Sequence, residues 1–134
     1  MTNHKRTALL LLVLLSAACE DNRLRPEGPA APTPPPEPAA VRIDYRVIGT
    51  GVRQVTVTYF SSTQGTTQTT TELPWFLTYQ TRDASTFVYL SASAAVTEFD
   101  ASLIVQVFVD GVLFREARST GFSPAITVSG EVVR

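Results

Sequence analysis

Apolar and polar residues alternate with a period of two beyond residue 40, and this pattern constrains the fold more than any other feature. In residues 41–47 the odd positions are valine, isoleucine or tyrosine, and the even positions are Arg42, Asp44 and Arg46. Residues 55–59 repeat the alternation after a turn predicted at Gly49 and Gly51. Because successive side chains of a β-strand point to opposite faces, this spacing predicts strands with one buried and one exposed face.

Further strands are predicted along the rest of the chain, at residues 77–81, 86–93, 103–109, 112–118 and 125–133. The Asp110-Gly111 pair between apolar residues indicates a two-residue hairpin turn, because both central residues of a type I′ turn need a positive φ. Residues 61–72, eight of which are Ser or Thr, predict a surface hairpin that turns at Gly65. A disordered loop is the alternative for this segment.

Seven or eight short strands and almost no helix signal predict an all-β domain over residues 41–134. Turns about every 8 to 12 residues are typical of an immunoglobulin-like antiparallel β-sandwich. A small barrel is the alternative. The domain contains no cysteine pair, so we expect a packed apolar core to supply its stability.

The N-terminus predicts an export signal that ends at a lipidated cysteine. His4, Lys5 and Arg6 precede an apolar run, which three small residues and the single cysteine, Cys19, follow. The run is too short to span a bilayer as a helix, which takes about 20 apolar residues. The segment resembles the lipobox of bacterial lipoproteins, so residues 1–18 are interpreted as a lipoprotein signal peptide cleaved between Ala18 and Cys19. A plain signal peptide and an uncleaved anchor are the alternatives.

Residues 19–40 predict a disordered tether, because they contain seven of the nine prolines. Proline fixes φ and removes amide donors, so such a segment favours extended polyproline II and forms no core. At about 3.1 Å per residue the tether reaches up to about 60 Å from the lipid. A docking site for a proline-binding module is the alternative.

Cleavage would leave a chain with few of the groups that catalysis uses. Residues 19–134 contain no histidine, lysine or methionine. Their nine arginines and twelve carboxylates give a net charge of −3. Serine–histidine and serine–lysine mechanisms lack their base, and nitrogen or sulfur ligands for a metal are missing once Cys19 is acylated. The sequence therefore predicts a protein that is not an enzyme and holds no metal or cofactor. Without a basic excess, nucleic acid is not an expected partner.

The domain resembles the mycobacterial membrane protein small family, through several short motifs in the family's order. These motifs are Tyr-x-Val-x-Gly, Val-Thr-Tyr, Leu-Pro-Trp, aromatic-Leu-Ser-Ala, Val-Asp-Gly and Ser-Gly-aromatic, the last of which stands here as Ser-x-Gly-Phe. They are matched by Tyr45, Val47 and Gly49; Val57, Thr58 and Tyr59; Leu73, Pro74 and Trp75; Tyr89, Leu90, Ser91 and Ala92; Val109, Asp110 and Gly111; and Ser119, Gly121 and Phe122.

The resemblance implies an extracytoplasmic β-sandwich that assists an envelope exporter of the resistance-nodulation-division type. Together with the lipobox, it predicts a non-catalytic accessory module, anchored by acylated Cys19 to the outer face of the cell membrane or to the outer membrane. The alternative function is a carrier or sensor that binds a hydrophobic molecule between the sheets.

Three side chains are candidates for contact with a partner. Trp75, which follows a proline at a predicted strand start, is either a recognition aromatic or a core residue between the sheets. Arg115 and Arg118 either decorate a solvated strand face or form an anion-binding patch.

The lipid anchor predicts that the protein incorporates a fatty-acid label through Cys19. In cells fed a labelled fatty acid, the unmodified chain should carry the label and Cys19→Ala should carry none, because no other residue of the chain is a cysteine. Equal labelling of the two proteins would contradict the anchor.

Overall fold

A computed structural model of the chain describes residues 28, 31–95 and 99–134. All strands belong to one compact unit, Pro36–Arg134. Residues 31–40 are exposed and have no regular secondary structure. The predicted signal peptide and Cys19 lie outside the described residues. Within the described ranges, no helix has the length and hydropathy needed to cross a bilayer.

Eight strands form two antiparallel four-stranded sheets. The strands are β1 (Val41–Thr50), β2 (Val55–Ser61), β3 (Gly65–Thr71), β4 (Trp75–Thr81), β5 (Ser85–Ser93), β6 (Ser102–Val109), β7 (Val112–Thr120) and β8 (Ala125–Val133). Sheet A has the order β4-β1-β6-β7, and sheet B has the order β3-β2-β5-β8. The predicted all-β sandwich is confirmed. The barrel alternative is wrong, because the strands form two separate sheets.

The core lies between the inward-facing rows of the two sheets. It is made largely of valine, leucine and tyrosine side chains, with Ile43, Val47, Val57, Leu90 and Val105 fully buried. These residues occupy alternate strand positions, so the period-two pattern marks the buried face. Central strand β6 is also apolar at Ile104 and Phe108 on its outer face, where the side chains are half-buried.

Both predicted hairpins are present. Asp110 and Gly111 have φ values of 48° and 81° and connect β6 to β7, with Val109 opposite Val112. The Ser/Thr-rich segment forms the β2–β3 hairpin, which closes at Gly65 with φ of 70°. The disordered-loop alternative for residues 61–72 is therefore wrong.

Gly49 lies within β1 and not in the turn that the sequence suggested. A Cβ atom at this position would lie 2.1 Å from the backbone oxygen of Ser102 on the adjacent β6. The turn starts instead at Gly51, whose φ is 70°. Close approach of two strands, not turn geometry, therefore explains the glycine at position 49.

The Tyr45 hydroxyl crosses the core from sheet A and joins two strands of sheet B. It donates to the carbonyl oxygen of Phe60 at 2.7 Å and accepts from the backbone N–H of Tyr89 at 3.3 Å. The direct pairing of β2 with β5 ends one position earlier, at Tyr59 and Leu90. The hydroxyl thus satisfies two backbone groups at the point where the strands separate.

A second tyrosine completes this buried group. The hydroxyl of Tyr79 lies 3.3 Å from that of Tyr45, and the two rings meet edge to face at 5.7 Å. Burial raises the pKa of Tyr45 well above its ordinary value, and the hydrogen bond to Tyr79 raises it further. The Tyr45 hydroxyl therefore stays protonated and keeps its proton for the Phe60 carbonyl.

Tyr45→Phe should lower the free energy of unfolding by about 1–3 kcal/mol, because it leaves the partly buried Phe60 carbonyl and Tyr89 N–H without their partner. Tyr79→Phe is the matched control and should cost less than about 1 kcal/mol, since within the described residues its hydroxyl hydrogen-bonds only to the hydroxyl of Tyr45. Urea unfolding of the full chain measures both. Equal losses would show that the bridge to sheet B is not the stabilising contact.

Candidate interaction surface

Trp75 begins β4 and points into the sandwich. Its indole is half-buried against the core and stacks on the ring of Tyr59, with centroids 5.3 Å apart and planes tilted by 39°. Tyr59 belongs to β2, so the contact joins the two sheets. Trp75 occupies the inter-sheet position that the sequence offered as one of its two interpretations.

Arg115 lies at an irregularity in β7. The pairing of β6 with β7 shifts between Val107 and Phe108, which leaves Phe114 as an extra residue. The Arg115 guanidinium lies 4.5 Å from the centroid of the Phe114 ring and donates to the Phe114 carbonyl oxygen at 3.2 Å. The ring covers Gly130 of β8, where a Cβ atom would lie 2.8 Å from it.

Arg118 has different surroundings. It is exposed on the outer face of sheet A, where it lies opposite Ile104 of β6. Arg115 instead contacts Phe114, which packs against the core toward β8. Arg115 and Arg118 are three positions apart in a regular stretch of β7, so they lie on opposite faces of the strand, and the structure does not bring them into one anion-binding patch.

The outer face of sheet A carries a cation–π stack that the sequence analysis did not single out. The guanidinium of Arg46 lies 5.5 Å from the ring centroid of Phe76 and 5.0 Å from that of Phe108. Phe76 lies directly opposite Arg46 on β4, and Phe108 is diagonal to it on β6. The neighbouring strands thus place one aromatic ring on each side of the arginine. We call Arg46, Phe76, Phe108 and Leu113 the aromatic–arginine face.

This face is exposed although it is rich in apolar groups. The Phe76 side chain is 57% exposed, and Leu113, opposite Phe108 on β7, is 48% exposed. Apolar side chains that cluster at the surface and include stacked aromatic rings and an arginine are typical of sites that bind other proteins. The stack also limits the rotamers of Arg46 before any partner binds.

A polar group borders the aromatic–arginine face. The Asp44 carboxylate accepts hydrogen bonds from the Arg42 guanidinium at 2.9 Å and from the Thr78 hydroxyl at 2.5 Å. Together with Arg46, Phe76 and Phe108, these residues line a shallow depression of about 350 Å³. The charged pair is surface-exposed on the arginine side and positions polar groups at the rim of the apolar patch.

The described residues contain no group of three or more His, Cys, Asp and Glu side chains that would hold a metal ion. A second depression of about 350 Å³ lies where the chain enters β1, lined by Ala40, Ser62 and residues 80–83. Neither depression is lined by the inward-facing valine and leucine side chains that a carrier of hydrophobic molecules requires.

A sequence signal for the aromatic–arginine face does exist. The alternation places Arg46 on the polar face of its strand, and the adjacent pair Trp75 and Phe76 must point to opposite faces. With the tryptophan inward, the phenylalanine points outward. What the sequence does not contain is the order of strands in the sheet, which brings Phe108 beside Arg46.

Comparison with known proteins finds neither a family model nor a curated protein that matches the chain.

A double-mutant cycle should measure the stack directly. Arg46→Gln and Phe76→Leu should each cost less than about 1 kcal/mol, and their coupling energy should be about 0.5–1 kcal/mol. Arg42→Gln with Phe76→Leu is the matched control and should show almost no coupling, because Arg42 pairs with Asp44. Urea unfolding of the full chains measures the free energy of unfolding of each variant. Equal coupling in both cycles would mean that net charge, not stacking, links the residues.

Proposed function

We propose that the protein is a non-catalytic interaction module on the extracytoplasmic side of the cell envelope. Acylated Cys19 anchors it to the lipid of the cell membrane or of the outer membrane, and residues 19–40 tether the sandwich. The basic residues, apolar run and cysteine of the N-terminus support the anchor. In this proposal the partner is another envelope protein.

The cation–π stack is the main observation that supports the aromatic–arginine face as the surface that binds the partner. Two half-exposed rings and a leucine on a rigid sheet form an apolar centre, and Arg42, Asp44 and Thr78 form a polar border. Central strand β1 supplies the arginine, so its backbone is held on both sides by other strands. Aromatic side chains and arginine on a rigid support are the groups that contribute most to protein–protein binding energy.

The nature of the partner is proposed from the sequence resemblance. The motifs shared with the mycobacterial membrane protein small family favour an accessory role beside a transporter of the resistance-nodulation-division type. A carrier or sensor for a hydrophobic molecule is the second candidate. It receives less support, because the inward-facing residues form a tightly buried core and the two depressions described above are open and partly polar.

We also infer that the sandwich is immunoglobulin-like. Two of the seven connections between strands are hairpins within one sheet, and the other five cross between the sheets. Frequent crossing of this kind is typical of Greek-key sandwiches.

Site-specific photo-crosslinking in the native envelope tests the proposed surface. A photoreactive amino acid at Phe76 should give an adduct with an envelope protein that mass spectrometry identifies. The same group at Ser129, which is exposed on the outer face of sheet B, is the matched control and should give none. Equal adducts at both positions, or none at Phe76, would overturn the assignment of the surface.

The identity of the adduct separates the parts of the proposal. A transporter of the resistance-nodulation-division type would support the accessory role. A different envelope protein would remove the transporter while keeping the interaction module. Adducts with small hydrophobic molecules alone would favour the carrier.

A further inference from the structure

The two sides of the sandwich differ in how their edge strands are protected. Edge strand β7 has a bulge and three charged residues, and edge strand β8 contains Glu131. Charges and bulges at a sheet edge prevent unwanted strand pairing. The edge strands on the opposite side, β3 and β4, contain no charged residue and no proline.

Strand β3 has the properties of an edge that accepts another strand. All seven of its residues pair with β2 without a register shift, from Gly65 opposite Ser61 to Thr71 opposite Val55. In the described part of the chain, β2 is its only partner strand. An uninterrupted edge strand presents a row of N–H and C=O groups outward along its length. Five of its seven residues are β-branched threonines, which suit strands.

The five central residues of β3 form a palindrome. Residues 66–70 read Thr-Thr-Gln-Thr-Thr in both directions, with Gln68 at the centre. In an antiparallel pair of two identical strands centred on this residue, Thr66 lies opposite Thr70 and Thr67 opposite Thr69. Gln68 lies opposite its own copy.

The faces of the sheet agree with this register. Thr66, Gln68 and Thr70 are exposed on the outer face, and Thr67 and Thr69 are half-buried on the inner face. The two copies would be related by a two-fold axis that is perpendicular to the sheet and lies between the two strands. Outer residues lie opposite outer residues only when this axis lies midway between one residue and its own copy. Centring on Gln68 is the one such register that pairs all seven residues of β3.

We propose that β3 binds β3 of a second copy of this chain, antiparallel and centred on Gln68. The two B sheets then form one continuous sheet of eight strands. The contact is isologous, since the same surface serves both copies. The register places the charged residue after β3, Glu72, opposite Gln64 of the second copy, so no like charges meet.

The self-complementary sequence is the reason to infer a second copy and not a different strand. Any extended chain can use the backbone groups of an edge, but the palindrome matches every side chain of residues 66–70 to an identical or symmetry-related one. The proposal is independent of the aromatic–arginine face, because it uses the other sheet.

Disulfide trapping tests the register in the full chain, with Cys19→Ser in every variant so that the introduced cysteines are the only ones. Gln68→Cys should form a disulfide-linked dimer under mild oxidation, because the paired Cα atoms would lie about 4.5–5.5 Å apart. Thr66→Cys alone should form none, since its copy would lie about 14 Å away along the strand. Thr66→Cys with Thr70→Cys should restore the linked dimer.

Charge variants at the same exposed positions test the association without a covalent bond. Sedimentation of the full chain should show a dimer that Thr66→Lys with Thr70→Lys weakens about tenfold or more, because like charges then lie opposite each other. Thr66→Glu with Thr70→Lys introduces the same number of charges with opposite signs facing and should remain a dimer. Circular dichroism of both variants verifies folding.

A monomeric unmodified chain at every protein concentration tested would overturn the proposal. Equal disulfide yields from Thr66→Cys and Gln68→Cys would do the same, because random collisions would explain them. Loss of the dimer in both charge variants would also contradict the proposed register.

Discussion

The Tyr45 hydroxyl is the interaction on which the arrangement of the two sheets depends. It originates in the central strand of sheet A and completes the hydrogen bonding of β2 and β5 in sheet B, where their own pairing has ended. An apolar core alone favours contact between sheets but not a particular alignment, because burial of surface has no direction. A buried hydroxyl that must meet a carbonyl and an N–H does impose an alignment.

The same alignment organises the aromatic group at one side of the sandwich. Tyr45 contacts Tyr79 in its own sheet and Tyr59 in the other, and Tyr59 in turn stacks on Trp75. These rings fill the space beside β3 and β4, where the edges carry no charge. The opposite side is closed differently, with Phe114 over Gly130 and the charged residues of β7 outside. One side of the domain is thus protected against strand pairing, and the other is left compatible with it.

Much of the fold was predictable from local chemistry. The alternation located the strands, Asp110-Gly111 located one hairpin and Gly65 the other, because each of these signals acts between near neighbours in sequence. Gly49 shows the limit of such reasoning. A glycine that permits close approach of β6 cannot be distinguished from a turn glycine until the neighbouring strand is known. The bulge at Phe114 was hidden for the same reason, since a bulge is defined by the register with another strand.

For the candidate surfaces, too, some features follow from the local sequence and others depend on contacts between distant residues. By itself the sequence determined that Arg46 points outward, that Trp75 and Phe76 point to opposite faces, that residues 66–70 read the same in both directions, and that residues 19–134 lack histidine and lysine. Only the tertiary structure decided that Phe76 and Phe108 lie on either side of Arg46, that Arg115 and Arg118 are separated, and that β3 lies at an edge. The physical reason is that side-chain direction follows from the local backbone, whereas the neighbours of a strand are chosen by contacts between residues far apart in sequence.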